Sequence, residues 1–499
     1  MSLQSLLIRW ILNPLGGAME KVPRKYRTAG FYLGGAVLFF LYFLNAMEII
    51  SVRYLLLFVP GCLALGLMLL CTLPGKLHPL RFSPLLSVCW FGAGLMMLQA
   101  GLRLNMDIFS DVLMFLVAWP VLWLIWGQSD LSEIFRMLCQ LCRGAFVVYF
   151  AVSFLFFPIS SAQYPGMFHN VNGSAFFYTL VLACLTVELW QRERRDAAFW
   201  RDLVLLGLAG AMMFYTSSRT GELAILCGWL FGGILYLWLH RNTLKDVFVK
   251  RLLPMVLSLL ILIPATVYLF IAVMPVSRTL SHEIHTAIAG IIAAPGTDDK
   301  AESDAPSNEP SEDTPPGTDD KAESDAPSNE PSEDTPDGLS GFIEKTEQKG
   351  TTQEKSIDSY STGRLSIWQA FAANTRLFGT EPPHSYYVAI NDVCYGTAHN
   401  TPLEYAINSG WICGILYLLF NIFAGLKSLR YVLLHRDKPY ALLPFVVTIA
   451  FGVCSMLASM NTPYLYMITM YYFFVQTPLV VCDPACLRRH ENASNGGER

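Results

Sequence analysis

The segment AHNTPLEYAINSGWICGILYLLF, residues 398–420, joins a polar stretch to a long apolar run. Pro402 suits the first turn of a helix, where its missing N–H is not needed, and Asn400 or Thr401 can cap that helix. We therefore predict that His399 lies just outside the N-terminus of a membrane-spanning helix. The amide donors and the positive dipole end of such a helix favour an anionic ligand such as a phosphate.

Apolar runs of this kind recur along the chain and predict its class. The 499 residues are 53% apolar and have a positive mean hydropathy, which is typical of a polytopic membrane protein. We predict an all-α membrane protein with about twelve transmembrane helices. The predicted spans are 29–47, 54–72, 84–101, 108–126, 144–159, 173–189, 203–216, 220–238, 253–274, 403–426, 441–459 and 463–481.

The distribution of basic residues predicts the orientation. With a cytoplasmic N-terminus, 24 Lys and Arg residues lie in or beside the connections on that side, whereas the short loops on the other face hold only Arg53, Arg103 and Arg219. By the positive-inside rule, both termini are cytoplasmic and His399 is on the outer face. Topology accounts for the basic residues, so nucleic-acid binding has no support.

Four regions follow from these spans. The predicted regions are 1–274 (helices 1–9 with an N-terminal interfacial segment), 275–402 (one large outer loop between helices 9 and 10), 403–481 (helices 10–12) and 482–499 (a cytoplasmic tail). Within the loop, the unit GTDDKAESDAPSNEPSEDTPP at 296–316 recurs at 317–337 with a different last residue. A sequence without aromatic or branched aliphatic residues cannot form a core, so we predict disorder over 296–355.

Two outer connections between spans contain candidate site residues. The first, from 158 to 173, holds His169 and Asn172 and is either a binding region or an ordinary polar loop. The second, TSSRTGE at 216–222, holds Arg219 between two apolar runs. An arginine there is costly unless it faces a polar cavity or a bound anion, and its planar fork suits a diphosphate. The alternative is an arginine that extends to the lipid headgroups.

The ordered end of the large loop supplies a second group of candidates. Arg364, Trp368 and Phe371 fall on one face of a predicted helix. Arg364 is either a solvated charge or a second cation directed at the same anion. Trp368 is either an interfacial anchor or a platform for a sugar.

His399 is either polar surface or a general acid or base, because the pKa of a histidine lies near neutrality. Glu404, one turn into the predicted helix, either orients His399 or complements the helix dipole. Ala406, Gly410 and Gly414 repeat every four residues and predict close approach of another helix.

The sequence lacks several other kinds of site. It has no glycine-rich nucleotide loop, no zinc spacing and no acidic pair in a structured outer loop, so we predict metal-free chemistry without a cofactor. Cys139 and Cys142 have metal or redox spacing, but we predict that they lie in a cytoplasmic connection without a partner pair.

Three motifs together resemble one family. The spacing at 399–410 resembles the H-N-x-x-L-x6-G signature of the bacterial O-antigen ligase and O-antigen polymerase superfamily, and 216–221 is similar to its Ser-Arg-Thr-Gly turn. The segment before the histidine is also similar at Gly363, Arg364, Trp368, Phe378 and Gly379. Twelve spans with one large periplasmic loop between helices 9 and 10 is the family layout. The resemblance covers about 160–425.

This resemblance implies a multi-pass enzyme of the bacterial inner membrane with a periplasmic active site. Its members transfer a glycan from undecaprenyl diphosphate to an acceptor hydroxyl without metal or nucleotide. Carried over, Arg219 and Arg364 bind the diphosphate and His399 activates the acceptor or positions the reacting groups. The substrate-binding candidates are Arg219, Arg364, Trp368, Asn400, Glu404, His169 and Asn172.

The acceptor remains open between branches of the superfamily. The single dominant outer loop favours the ligase, which transfers the O-antigen glycan to lipid A-core, over the polymerase, which extends the lipid-linked glycan. A protein O-oligosaccharyltransferase is a further alternative. A polysaccharide-lipid transporter is the rival from another class, and it predicts charged residues or broken helices at mid-span.

Overall fold

The computed structural model describes residues 2–47, 54–104, 109–157, 163–168, 170–292, 363–379, 388–390, 393–460 and 466–481. The predicted disordered insert at 296–355 and the candidate His169 lie outside the described residues. We number the long helices of the described part in chain order.

The described part of the chain is mostly helical. The long helices are α1 Arg24–Ala46, α2 Tyr54–Thr72, α3 Pro84–Leu104, α4 Trp119–Trp126, α5 Leu131–Phe156, α6 Val171–Gln191, α7 Ala197–Thr216, α8 Arg219–Leu239, α9 Leu253–Ile292, α10 Arg364–Asn374, α11 Thr401–Ser409, α12 Trp411–Leu434, α13 Leu443–Leu457 and α14 Met467–Val475. Shorter helical segments are Leu3–Leu7, Ile8–Leu12, Asn13–Glu20, Phe109–Leu113, Met114–Ala118, Arg241–Thr243, Leu244–Val247, Phe248–Leu252 and Thr477–Val480. Strands β1 (Val388–Ile390) and β2 (Val393–Tyr395) pair antiparallel.

The prediction of an all-α polytopic membrane protein is confirmed. Eight helices of the described residues are long and apolar enough to cross a membrane, and four shorter apolar helices, Phe58–Thr72, Ser110–Trp126, Leu443–Leu457 and Met467–Val480, lie at other predicted spans. We call the end of the bundle where α5 and α9 begin the basic end, because most of the Lys and Arg residues are there. The opposite end, where α6 begins, is the pocket end.

Helix α6 is the centre of the bundle. Every residue from Ser174 to Trp190 is buried, and the aromatic residues Phe176, Phe177 and Tyr178 pack against neighbouring helices. Its N-terminus is fixed because the Asn170 side chain accepts a hydrogen bond from the amide of Asn172 at 2.8 Å. The helix therefore holds Asn172 at a defined position at the pocket end.

The helix bounds in the structure differ from several of the predicted spans. The fifth span begins at Leu131, not 144, because the Asp130 side chain caps the amides of Ser132 and Glu133. Consequently Cys139 and Cys142 are buried inside α5 and do not lie in a connection. The ninth helix continues past 274 to Ile292.

The tenth predicted span also differs from the structure. The predicted helix 403–426 is two helices in the structure, α11 and α12, and the break is at Gly410. The seventh predicted span, 203–216, is part of a longer helix, α7, which begins at Ala197. Its Gly207 and Gly210 let α9 approach so closely that a Cβ atom at either position would lie within 2.5 Å of a Leu262 or Leu259 side-chain atom.

Asp202 of α7 is fully buried at the basic end and is surrounded by three guanidinium groups. Its carboxylate accepts hydrogen bonds from Arg192 at 2.8 and 3.1 Å, from Arg201 at 2.9 Å and from Arg143 at 3.3 Å. Arg143 belongs to α5 and Arg192 follows α6, so one carboxylate joins three helices. A buried charge needs such partners, because its lost hydration must be replaced.

We predict that Asp202→Asn destabilises the protein by about 3 kcal/mol or more, because three cations lose the charge that balances them. The measurement is the midpoint of thermal unfolding of the purified protein in detergent. Asp437→Asn is the matched control, since Asp437 is 95% exposed and only 3.9 Å from Arg436. Equal midpoints for the two variants would contradict the role of Asp202.

Candidate functional site

The turn before α11 is attached to the end of α13. The Asn400 side chain accepts a hydrogen bond from the amide of Leu403 at 3.0 Å and donates one to the Met456 carbonyl at 3.0 Å. The Thr401 hydroxyl donates to the Ala458 carbonyl at 2.9 Å. Asn400 is therefore the predicted cap, with Pro402 in the first turn. Asn400 is also buried, and both ends of its amide bind backbone groups.

Glu404 fixes the backbone that carries His399. Its carboxylate accepts hydrogen bonds from the Ala398 amide and, at 2.8 Å, from the Ser459 hydroxyl. His399 has a φ of +50°, a left-handed conformation that a non-glycine residue adopts only when its surroundings hold it. Glu404 thus stabilises the turn through the residue before the histidine.

The break at Gly410 brings the segment after α10 against the start of α12. Gly410 has a φ of +99°, and a Cβ atom there would lie 2.1 Å from the Leu377 carbonyl oxygen and 2.6 Å from Cα of Phe378. The Trp411 amide donates to the Arg376 carbonyl at 3.1 Å. Gly379, with a φ of +89°, faces the Asn408 carbonyl in the same contact.

The predicted small-residue stripe acts within the same contact region. A Cβ atom on Gly414 would lie 2.6 Å from both the Ala406 Cβ and the Pro402 carbonyl oxygen. The helix that approaches these small residues is therefore α11 itself, which packs against α12. A larger residue at position 406 or 414 would prevent this close packing of α11 on α12.

Arg364 is placed by the docking of α10 onto α11. Gly363, with a φ of +77°, precedes the helix, and Arg364 is its first residue. Ile367 and Phe371 are buried in a small apolar cluster with residues that flank and form α11, namely Ala398, Leu403, Ala406 and Ile407. Trp368 packs against this cluster, and its indole N–H is buried without a hydrogen-bond partner among the described residues.

Arg219 lies at the turn between α7 and α8. Ser217 has a φ of +50°, and Arg219 is the exposed first residue of α8. The Ser218 hydroxyl hydrogen-bonds to the Asn172 side-chain oxygen at 2.9 Å. This bond ties the turn to the N-terminus of α6.

A pocket of about 170 Å³ opens where these elements meet. It contains three of the predicted site residues, Asn172, Arg364 and His399. Its other lining residues are Thr220, Ile367, Tyr395, Leu457 and Ala458. The predicted site residue Arg219 is not among the lining residues, although it directly precedes Thr220. The predicted binding residues Trp368, Asn400 and Glu404 do not line the pocket either. Trp368 packs against the apolar cluster that holds Ile367, and Asn400 and Glu404 form hydrogen bonds within the turn that carries His399.

The pocket residues interact electrostatically. The pKa of Arg364 is lowered by burial and by the charge of Arg219. The pKa of His399 is lowered by partial loss of hydration and by the charge of Arg364. The charge of Arg219 therefore acts on Arg364, which lines the pocket. None of the described residues that line it is Asp or Glu, so the site suits an anion next to a neutral imidazole.

Sequence reasoning missed part of the lining. Leu457 and Ala458 lie at the end of α13, and nothing in an apolar run indicates that its last residues border a pocket. Thr220 follows the predicted Arg219 directly. Among the described residues, no group of three or more His, Cys, Asp or Glu side chains is arranged to hold a metal ion.

Part of the chain matches a known protein family. Residues 203–418 match the family model Wzy_C, described as O-antigen ligase. The matched stretch includes Arg219, Arg364 and His399, and the match confirms the superfamily predicted from the motifs. A search of the curated proteins found no match.

We predict that Gly410→Ala strongly destabilises the protein or prevents its folding, because the added methyl group would overlap the Leu377 carbonyl and the backbone has a positive φ. Gly425→Ala in α12 is the control, since a Cβ atom there meets nothing within 4 Å. That change should leave the unfolding midpoint unchanged or slightly higher. The thermal midpoints in detergent would contradict this account if both variants matched the parent.

Proposed function

We propose that this member of the O-antigen ligase superfamily transfers an O-antigen glycan from undecaprenyl diphosphate to a sugar hydroxyl of lipid A-core, at the periplasmic face of the bacterial inner membrane. The observation that supports the proposal is one pocket lined by Asn172, Arg364 and His399, with Arg219 in the adjoining turn, although these residues are far apart in the sequence. The positive charge of Arg219 lowers the pKa of Arg364, and the charge of Arg364 lowers the pKa of His399, which supports their action in one site.

The two arginines suit the leaving group. When the bond between the anomeric carbon and the diphosphate oxygen breaks, negative charge develops on the diphosphate. Fixed guanidinium groups stabilise that charge because they bind phosphate oxygens with paired hydrogen bonds. Arg364 is half-buried and lines the pocket, whereas Arg219 is exposed in the adjoining turn, so Arg364 has the drier position. The arginines supply this stabilisation without a metal ion.

His399 suits the acceptor. Its lowered pKa keeps the imidazole neutral at pH 7, and a neutral imidazole can accept the proton of an attacking hydroxyl. The acceptor oxygen then bonds to the anomeric carbon as the diphosphate leaves from the opposite side, and the proton passes to the imidazole. Direct displacement of this kind inverts the anomeric carbon.

The other predicted site residues have supporting roles in this proposal. Glu404 and Asn400 position the turn that carries His399, and Trp368 supports α10 and therefore Arg364. Asn172 is exposed at the pocket and is held by Ser218, so it is the remaining candidate for a direct substrate contact. His169 keeps its predicted binding role outside the described residues.

The ligase is our choice of branch because one outer loop dominates the sequence. The grouping of candidate residues at one end of the bundle suits a transferase that works at a membrane surface. A transporter would need a site near mid-membrane. The polymerase and the protein O-oligosaccharyltransferase use the same donor chemistry, so the acceptor must be identified by experiment.

We predict that a deletion strain lacks the long-chain lipopolysaccharide ladder and accumulates polymerised lipid-linked glycan, and that Arg219→Ala or His399→Ala fails to restore the ladder. The readouts are a lipopolysaccharide gel and analysis of the lipid-linked glycan. Arg376→Gln is the matched control and should restore it, because Arg376 is an exposed arginine just after α10.

Each other outcome has a defined meaning. Accumulation of single-repeat lipid-linked units would identify a polymerase, and loss of a glycosylated protein with an intact ladder would identify a protein transferase. Restoration by normally inserted Arg219→Ala or His399→Ala protein would contradict the proposed site.

We predict that the transfer rate of the purified enzyme falls at acidic pH, as His399 becomes protonated. Because the pKa of His399 is lowered, this fall lies below the ordinary histidine value of 6.5. Arg364→Gln removes a nearby positive charge and therefore raises the pKa of His399. The acidic limb of the profile should then move to higher pH. Arg376→Gln should leave the limb in place. A limb that stays or moves to lower pH in Arg364→Gln would argue against the base.

A further inference from the structure

A second charged cavity lies at the basic end of the bundle, far from the pocket described above. It has a volume of about 360 Å³ and is formed by the segments after α6 and α8. Five basic side chains line it, Arg192, Arg194, Arg195, Lys250 and Arg251, against two acidic ones, Glu193 and Asp246. We call it the basic-end cavity.

The walls of the basic-end cavity are fixed by hydrogen bonds. Arg195 donates to the Val249 carbonyl at 2.9 Å and so joins the two segments. Arg251 donates to the Trp190 carbonyl and the Tyr236 hydroxyl, and its guanidinium lies 5.9 Å from the centre of the Tyr236 ring. The positive charge is therefore held in a preformed cavity, which topology alone does not require.

The basic side chains of the basic-end cavity differ in how strongly they pair with acidic side chains of the protein. Arg192 is paired with the buried Asp202 at 2.8 Å. Lys250 is 3.2 Å from Asp246, but both side chains are more than 60% exposed, and such pairs exchange readily with other ions. Arg194 is exposed in the segment between α6 and α7. Arg194 and Lys250 are thus available to a ligand.

An apolar rim borders the same cavity. The helical segment Leu244–Leu252 carries Lys250 and Arg251 toward the cavity, and it exposes Leu244, Phe248 and Val249, with exposed fractions of 45%, 53% and 53%. A segment that combines exposed apolar residues with basic ones lies at the boundary between headgroups and acyl chains. The ligand of the cavity therefore has both a charged and an apolar part.

We infer that the basic-end cavity binds the phosphate headgroup of an anionic glycerophospholipid from the adjoining leaflet. The phosphate contacts Arg194 and Lys250, and the acyl chains lie on Phe248 and Val249. Basic pockets between transmembrane helices on the positively charged side of a protein recognise such headgroups. A soluble phosphate would use the cations but would gain nothing from the exposed apolar rim.

Native mass spectrometry of the full-length protein in detergent tests this inference. The probes are phosphatidylglycerol and phosphatidylcholine with identical acyl chains. Phosphatidylglycerol should bind at a concentration at least about fivefold lower, because only its headgroup carries a net negative charge. Equal binding of the two lipids would overturn the inference.

Variants locate the site. Arg194→Gln with Lys250→Gln should weaken phosphatidylglycerol binding at least about fivefold, and the single, exposed Arg194→Gln variant should weaken it in the same direction without affecting folding. The matched control is Lys21→Gln with Lys25→Gln, which removes two exposed charges at the same end outside the cavity. Equal loss in both double variants would show diffuse attraction and overturn the inference.

A competition arm distinguishes a lipid from a soluble anion. Inorganic phosphate at millimolar concentration, with ionic strength held constant by chloride, should leave most of the lipid bound. Complete displacement of phosphatidylglycerol would assign the cavity to a soluble phosphate and overturn the lipid assignment.

Discussion

The pocket depends on one backbone contact, in which Gly410 lies against Leu377 and Phe378 with no room for a Cβ atom. This contact joins the segment after α10 to the start of α12. Because α10 directly precedes that segment and packs on α11, the contact also determines where Arg364 lies. Arg364, His399 and the helix between them are consequently positioned by the same short region.

The positively charged side chains have different surroundings at the two ends of the bundle. At the basic end, the buried carboxylate of Asp202 balances three guanidinium groups, so their charge contributes to stability. At the pocket end, Arg364 lines a cavity whose described lining has no carboxylate, and Arg219 lies in the adjoining turn. Mutual repulsion between Arg219 and Arg364 costs free energy in the absence of a ligand. A bound diphosphate would relieve that repulsion, and the pocket is therefore suited to bind and release an anion.

Much of this arrangement could be predicted from the sequence. Apolar length identified the helices, and the cap at Asn400 with Pro402 was predicted correctly. Membrane cost and motif spacing led to Arg219, Arg364 and His399 as candidate site residues. The break at Gly410 was not predicted, because a glycine within an apolar run looks the same whether it packs inside a helix or ends one. Leu457, Ala458 and the early start of α5 depend on tertiary packing or on a cap that the apolar pattern did not reveal.

The most direct test is an experimental structure of the full-length protein in lipid nanodiscs with undecaprenyl diphosphate bound. We expect the diphosphate within hydrogen-bonding distance of both Arg219 and Arg364, with the His399 imidazole facing the position of the attacked carbon. A diphosphate bound elsewhere, or guanidinium groups that face separate surfaces, would contradict the convergence on which the proposed function depends.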